Sequence, residues 1–143
     1  MVFKFPEVCD LLSYDYTRLN NLVYHSDLTG EFRKGSLAAR SFRSDEVGII
    51  IFAALLSEQG LAPRAIQKHV GTLERACLRS DELAKSGKSA SVSMLLRKDP
   101  AEDLILIKGE LLEQSGIFMP LDNILAKMGD LLEQSKRGSS HPN

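Results

Sequence analysis

Residues 15–47 read DYTRLNNLVYHSDLTGEFRKGSLAARSFRSDEV, and how this stretch folds decides the architecture of the chain. The spacing predicts a short helix over 15–25. Asp15 caps it, Leu19, Leu22 and Val23 turn inward, and Tyr16, Thr17, Arg18, Asn20 and Asn21 face out. Residues 27–43 contain Gly30 and Gly35 and lack helical periodicity. They read as a two-stranded wing, with weak strands over 31–33 and 39–43. Arg33, Lys34, Arg40 and Arg43 fall here, and no acid lies between Phe32 and Ser44. Ser44 then caps a new helix whose first turn, Asp45 and Glu46, suits the helix dipole. A polar helix, a basic loop and a covering helix, in that order, offer one element to base edges and another to phosphates.

Upstream, residues 5–12 form a short helix with Pro6 in its first turn and Val8, Leu11 and Leu12 on one face. Tyr14 and Asp15 make a tight corner between the first two helices, the pattern of a helix-turn-helix pair. Downstream, the helix opened at Ser44 runs to about Glu58 and is apolar on most sides, which marks it as the centre of a core. Gly60 ends it. Pro63 starts another helix, along which Ile66, Val70, Leu73 and Cys77 recur at helical spacing.

Residues 80–90 include Lys85-Ser86-Gly87-Lys88-Ser89 and read as a linker. Residues 91–98 and 103–108 flank Asp99-Pro100-Ala101-Glu102 and read as a hairpin. A competing reading starts a helix there, with Asp99 as N-cap, Pro100 at the first position and Glu102 at the third. The short continuous run Leu104-Ile105-Leu106-Ile107 favours the strands. Residues 121–134 return to a helix with Leu121, Ile124, Leu125, Met128, Leu131 and Leu132 on one face, expected to form a dimerisation seam.

The expected division is a DNA-binding domain over 1–79, a linker over 80–90, a hairpin-plus-helix module over 91–136 for dimerisation or docking, and a frayed tail over 137–143. The fold class is mainly α with small β: a winged helix-turn-helix followed by a β-hairpin and a C-terminal helix.

The balance of residues is that of a globular protein, with 43% hydrophobic and 26% charged. The net charge of −1 hides an asymmetry, with 10 Lys/Arg against 9 Asp/Glu over 1–79 and 8 against 10 over 80–143. Neither half is a polybasic tail, so any affinity for nucleic acid must come from local geometry. Cys9 and Cys77 lack metal-ligand spacing and read as reduced thiols, and His25 and His69 read as surface or half-buried side chains. No metal and no cofactor is implied. The sequence has no GxxxxGK[ST], HExxH or GxSxG, and Gly87-Lys88-Ser89 resembles only the tail of a phosphate loop. Catalysis is therefore not expected. The N-terminus has no signal-peptide pattern, and the longest apolar run, residues 47–56, is about half a membrane span.

Several of these pieces resemble the mercury-resistance regulator (MerR) family of winged helix-turn-helix proteins over roughly residues 3–78. Phe5-Pro6-Glu7-Val8 sits where that family has Ile-Gly-Glu-Leu, and Asp15 stands where a Ser starts its recognition helix. Arg40-Ser41-Phe42-Arg43-Ser44-Asp45-Glu46-Val47 is similar to its Arg-x-Tyr-Ser-x-x-Asp-Val junction. Leu56, Gly60 and Ile66 are spaced like its step between third and fourth helices. The chain departs from the family at Thr17, Asn20, Asn21 and Leu22, where Arg and paired Tyr are usual, and Phe42 replaces a Tyr. The family's long dimerisation helix is missing, so its metal- and drug-sensing behaviour is not carried over.

The resemblance implies a bacterial or phage-type transcriptional regulator, cytoplasmic and nucleoid-associated, binding double-stranded DNA as a homodimer. Tyr16, Thr17, Arg18, Asn20 and Asn21 would enter the major groove, with Arg33, Lys34, Arg40 and Arg43 on flanking backbone. Two other readings remain open: a phage excisionase or architectural DNA-bending protein, and a protein-interaction module such as an antitoxin or adaptor. No membrane partner is expected, and the C-terminal module offers a site for a protein partner.

Overall fold

The computed structural model describes residues 2–26, 41–88, 91–107 and 116–139. Among the described residues the chain is mainly helical with two small antiparallel sheets. The first strand, β1 (Val2–Lys4), leads into α1 (Phe5–Leu12), and α2 (Tyr16–Ser26) follows. Then come β2 (Ser41–Arg43), α3 (Ser44–Glu58), α4 (Pro63–Lys68) and α5 (Val70–Lys85). The C-terminal part holds β3 (Val92–Leu96), β4 (Leu104–Ile107), β5 (Ile117–Pro120) and α6 (Leu121–Ser139).

α3 is the hub. Val47, Ile50, Ile51, Phe52, Ala53, Ala54 and Leu56 are all buried, so the helix is surrounded by other elements, as its all-round apolarity predicts. Its start is tied by the Arg43 amide donating to Glu46 Oε1 at 3.1 Å, which makes Arg43 the N-cap and moves Ser44, the expected cap, into the first turn. The same arrangement opens α1, where the Lys4 amide donates to Glu7 Oε1 at 3.1 Å. β1 and β2 pair antiparallel with Phe3 opposite Phe42, so the two N-caps stand at opposite ends of this short ribbon, Lys4 beside Ser41 and Arg43 beside Val2. Both phenylalanines are buried, and Phe5 packs against Phe42 with ring centroids 5.9 Å apart.

The expected strand over 39–43 is thus present in part as β2. Its partner among the described residues is β1 at the N-terminus, which the sequence reading left unassigned. The other expected wing strand, over 31–33, lies outside the described residues.

The helix expected from Pro63 onwards is two helices. The chain turns at His69 (φ −94°, ψ −1°) between α4 and α5. α5 then continues to Lys85, so the first half of the expected linker over 80–90 is helical. The hairpin is present: β3 pairs with β4 antiparallel, Met94 opposite Ile105. Asp99 accepts the Ala101 amide at 3.0 Å, capping a 3-10 turn over Pro100–Glu102. The helix-start signals at Asp99 and Pro100 were real, but they serve one turn only. A third strand, β5, pairs with the other edge of β3, giving the order β4-β3-β5.

The N-terminal helices and the C-terminal sheet and helix share one hydrophobic cluster, from Phe3 and Phe5 through Ile50 and Phe52 to Met94, Leu96 and Leu131. The α6 stripe expected to form a dimer seam mostly faces this core. Leu121, Ile124 and Leu131 are buried, Met128 and Leu132 are half-buried against the cluster, and Leu125 alone of the six stands open. Gly48 marks the crossing of α3 and α6: a Cβ there would meet Met128 Sδ at 3.3 Å. Periodicity located the apolar side of α6 correctly but could not say that it packs on its own chain.

Candidate nucleic-acid interface

α1 and α2 are joined by Ser13, Tyr14 and Asp15. Ser13 adopts the left-handed conformation (φ 53°, ψ 40°), and the amides of Ser13 and Tyr14 return to the carbonyls of Asp10 and Cys9 at 3.2 and 3.0 Å. This closes α1 and sets the direction of α2. The second helix is then started by Asp15, whose Oδ2 accepts the Arg18 amide at 3.1 Å. α2 is held to the body by Leu19, Leu22 and Val23, all buried. At about 1.5–3 kcal/mol for each large apolar side chain removed from water, these three anchor a helix of otherwise polar composition.

The opposite side of α2 is open. Thr17, Arg18, Asn21 and His25 are exposed, as are Tyr16 and Tyr24. Asn20 is half-buried, so it belongs to the shoulder of the helix instead of the outward face expected for it. Tyr16 is partly committed: its ring meets Phe5 edge-on at 5.2 Å and covers the core margin. Arg18 lies with Cζ 5.1 Å from the centre of the Tyr14 ring, a cation–π contact that restrains the side chain without neutralising it. Tyr24 and His25, neither of them among the expected contact residues, extend the open face by another turn. Tyr24 is 54% exposed and packs edge-on with His25 at 5.2 Å.

The basic residues fare differently. Arg33, Lys34 and Arg40 lie outside the described residues. Arg43 is exposed, but its guanidinium is engaged: Nε is 3.1 Å from Asp45 Oδ1 and 3.8 Å from Glu46 Oε1. That hydrogen bond holds the Asp45 carboxyl below the usual carboxylate range. A phosphate would have to compete with two carboxylates for Arg43, which weakens its expected role.

The titratable residues that could suggest other chemistry are dispersed. Cys9 is buried and Cys77 is exposed on α5. Among the described residues no group of three or more His, Cys, Asp or Glu could hold a metal ion, and no helix is long and apolar enough to cross a membrane. His69, expected at or near the surface, is buried and bonded to Asp103, a pairing 34 residues apart that no local pattern signals. No protein-family model, no curated protein and no solved structure matches this chain.

Proposed function

We propose that the protein is a sequence-reading DNA-binding regulator that offers the outer face of α2 to the major groove, in the manner of the MerR-like winged helix-turn-helix proteins its N-terminal half resembles. The observation that carries this reading is the division of α2: Leu19, Leu22 and Val23 fix it to the core, while Thr17, Arg18 and Asn21 project into solvent on one side. Those residue types match base-edge chemistry, Arg to guanine, Asn to adenine and Thr to the thymine methyl. The left-handed turn at Ser13 and the Asp15 cap hold the helix in a fixed direction, so little ordering is needed on binding. Tyr16 serves more as a wall than as a reader, and Asn20 contributes from the shoulder.

Since most of the α6 stripe packs inside the chain, a homodimer on this reading must form through another surface, or the protein binds single half-sites. Genome-wide capture of chromatin bound by the tagged protein tests the proposal and names targets together. Recovery of a shared sequence motif supports it. Recovery no greater than that of an Arg18→Ala, Asn21→Ala variant overturns it.

A further inference from the structure

The first turns of α3, the outer side of α5 and the start of α6 leave an open groove between them, of about 490 Å³. Ile49, Leu73, Leu78, Ile124, Leu125 and Met128 line it. Scattered exposed leucines are ordinary on protein surfaces. Here, however, Leu78 on α5 is 62% exposed and Leu125 on α6 is 46% exposed, and they line the same groove, with half-buried Ile49 and Met128 beside them. The result is an apolar strip bounded by helices, the shape in which amphipathic helices dock.

Among the described residues the charged side chains that line the groove are acidic. Glu74 and Asp81 line it, as does Asp45, which is already paired with Arg43, and no Lys or Arg among the described residues does. The arginines of α5, Arg75 and Arg79, line a neighbouring recess beside β4 that meets the groove at Leu78. A second copy docking face to face would set carboxylate against carboxylate, an arrangement that works against self-association. A cationic segment gains where a second copy loses. No α2 residue lines the groove, so an occupant leaves the proposed DNA face uncovered.

We infer that this groove receives an amphipathic helix from a partner protein, with leucine-like anchors at helical spacing and lysine or arginine at its flanks. Leu78 and Leu125 are the anchoring contacts, and Glu74 and Asp81 select the sign of the partner. The inference goes beyond DNA binding and stands whether or not α2 reads DNA.

Cys77 supplies a reporter inside the site. It lines the groove, whereas Cys9 is buried in the core. Partial burial, with Asp81 and Glu74 nearby, raises the Cys77 thiol, so alkylation is slow and its protection is readily timed. The probe is a synthetic helical peptide with leucine on one face and lysine on its flanks, added to the full chain. Its control has glutamate in place of every lysine. The lysine peptide is expected to slow Cys77 alkylation by about tenfold or more at saturation, less so as salt is raised, and the glutamate peptide to leave it unchanged. Leu78→Glu and Leu125→Asp, both at exposed positions, should each weaken the lysine peptide by about tenfold or more while circular dichroism stays unaltered. Equal protection by both peptides, or by neither, overturns the inference. So does sedimentation as a dimer that Leu125→Asp dissociates, which would make a second copy the occupant. Duplex binding by Leu125→Asp is read in parallel, so failure here is distinguished from failure of the DNA reading.

Discussion

His69 Nδ1 and Asp103 Oδ2 lie 2.6 Å apart in the interior, 34 residues distant in sequence, and join the α4–α5 turn to the β3–β4 hairpin. The same Asp103 oxygen accepts the Thr72 hydroxyl at 2.7 Å, and the other oxygen accepts the Arg97 amide at 2.7 Å. Arg75 donates to the Thr72 hydroxyl at 3.1 Å, which extends the network towards the surface. A buried carboxylate is costly unless its lone pairs are met, and here side chains and backbone from two parts of the fold meet them. The C-terminal sheet is thereby locked to the helices that carry α2, through a polar clamp inside an apolar interface.

Removing the acceptor should expose that dependence. Asp103→Ala strands the Thr72 hydroxyl and the Arg97 amide and is expected to cost about 2–4 kcal/mol. Urea denaturation of Asp103→Ala, His69→Ala and the double variant should give a coupling of about 1–3 kcal/mol. Strict additivity would mean the two side chains meet without supporting each other.

Two glycines should respond in opposite directions. A Cβ at Gly116 would stand 2.7 Å from the Leu96 carbonyl oxygen, so Gly116→Ala must push β5 off β3 and is expected to lose about 1–3 kcal/mol. Gly129, exposed within α6, has nothing within 4 Å of that position. Gly129→Ala should gain about 0.5–1 kcal/mol, because alanine restricts the unfolded chain and suits a helix. Thermal melts of the two variants check the contrast, and equal shifts would refute the packing described for β5.

Burial, reinforced by Asp10 and Asp15, pushes the Cys9 thiol up to about 11 from its ordinary 9.0. The folded chain therefore keeps this proton at pH values where the unfolded chain releases it. Stability from this source is whole below the unfolded value and falls as pH rises from near 9.0 to about 11. Urea midpoints collected across that range should decline more steeply for the wild type than for Cys9→Ala. Parallel profiles would show that Cys9 is open to solvent.

Local patterns made much of the scaffold legible. Pro6 with the Val8, Leu11 and Leu12 face announced α1, Asp15 announced α2, and Asp99-Pro100 followed by an apolar run marked the turn and strand of the hairpin. What could not be read was set by partners distant in sequence. β1 is three residues long and is a strand only because β2 returns beside it. The apolar repeat through Ile66, Val70 and Leu73 runs on across His69, so nothing in the periodicity showed that the helix breaks there. The stripe on α6 had the right spacing for a seam and the right spacing for a core, and only the position of α3 decided between them. At the candidate interface, the outward setting of Thr17, Arg18 and Asn21 was legible, while the half-burial of Asn20 and the pairing of Arg43 with Asp45 emerged only in three dimensions.

Fluorescence anisotropy of a labelled duplex carrying a captured target is the decisive measurement for sequence reading by α2. The wild-type chain and a Thr17→Ala, Arg18→Ala, Asn21→Ala variant are titrated at low and raised salt, with circular dichroism checking that the variant folds. The expected result is binding that weakens with salt, a preference for the target over random duplex, and loss of that preference in the variant by about tenfold or more. A wild-type chain that ignores duplexes in dilute buffer, or a variant that discriminates as well as the wild type, would contradict it.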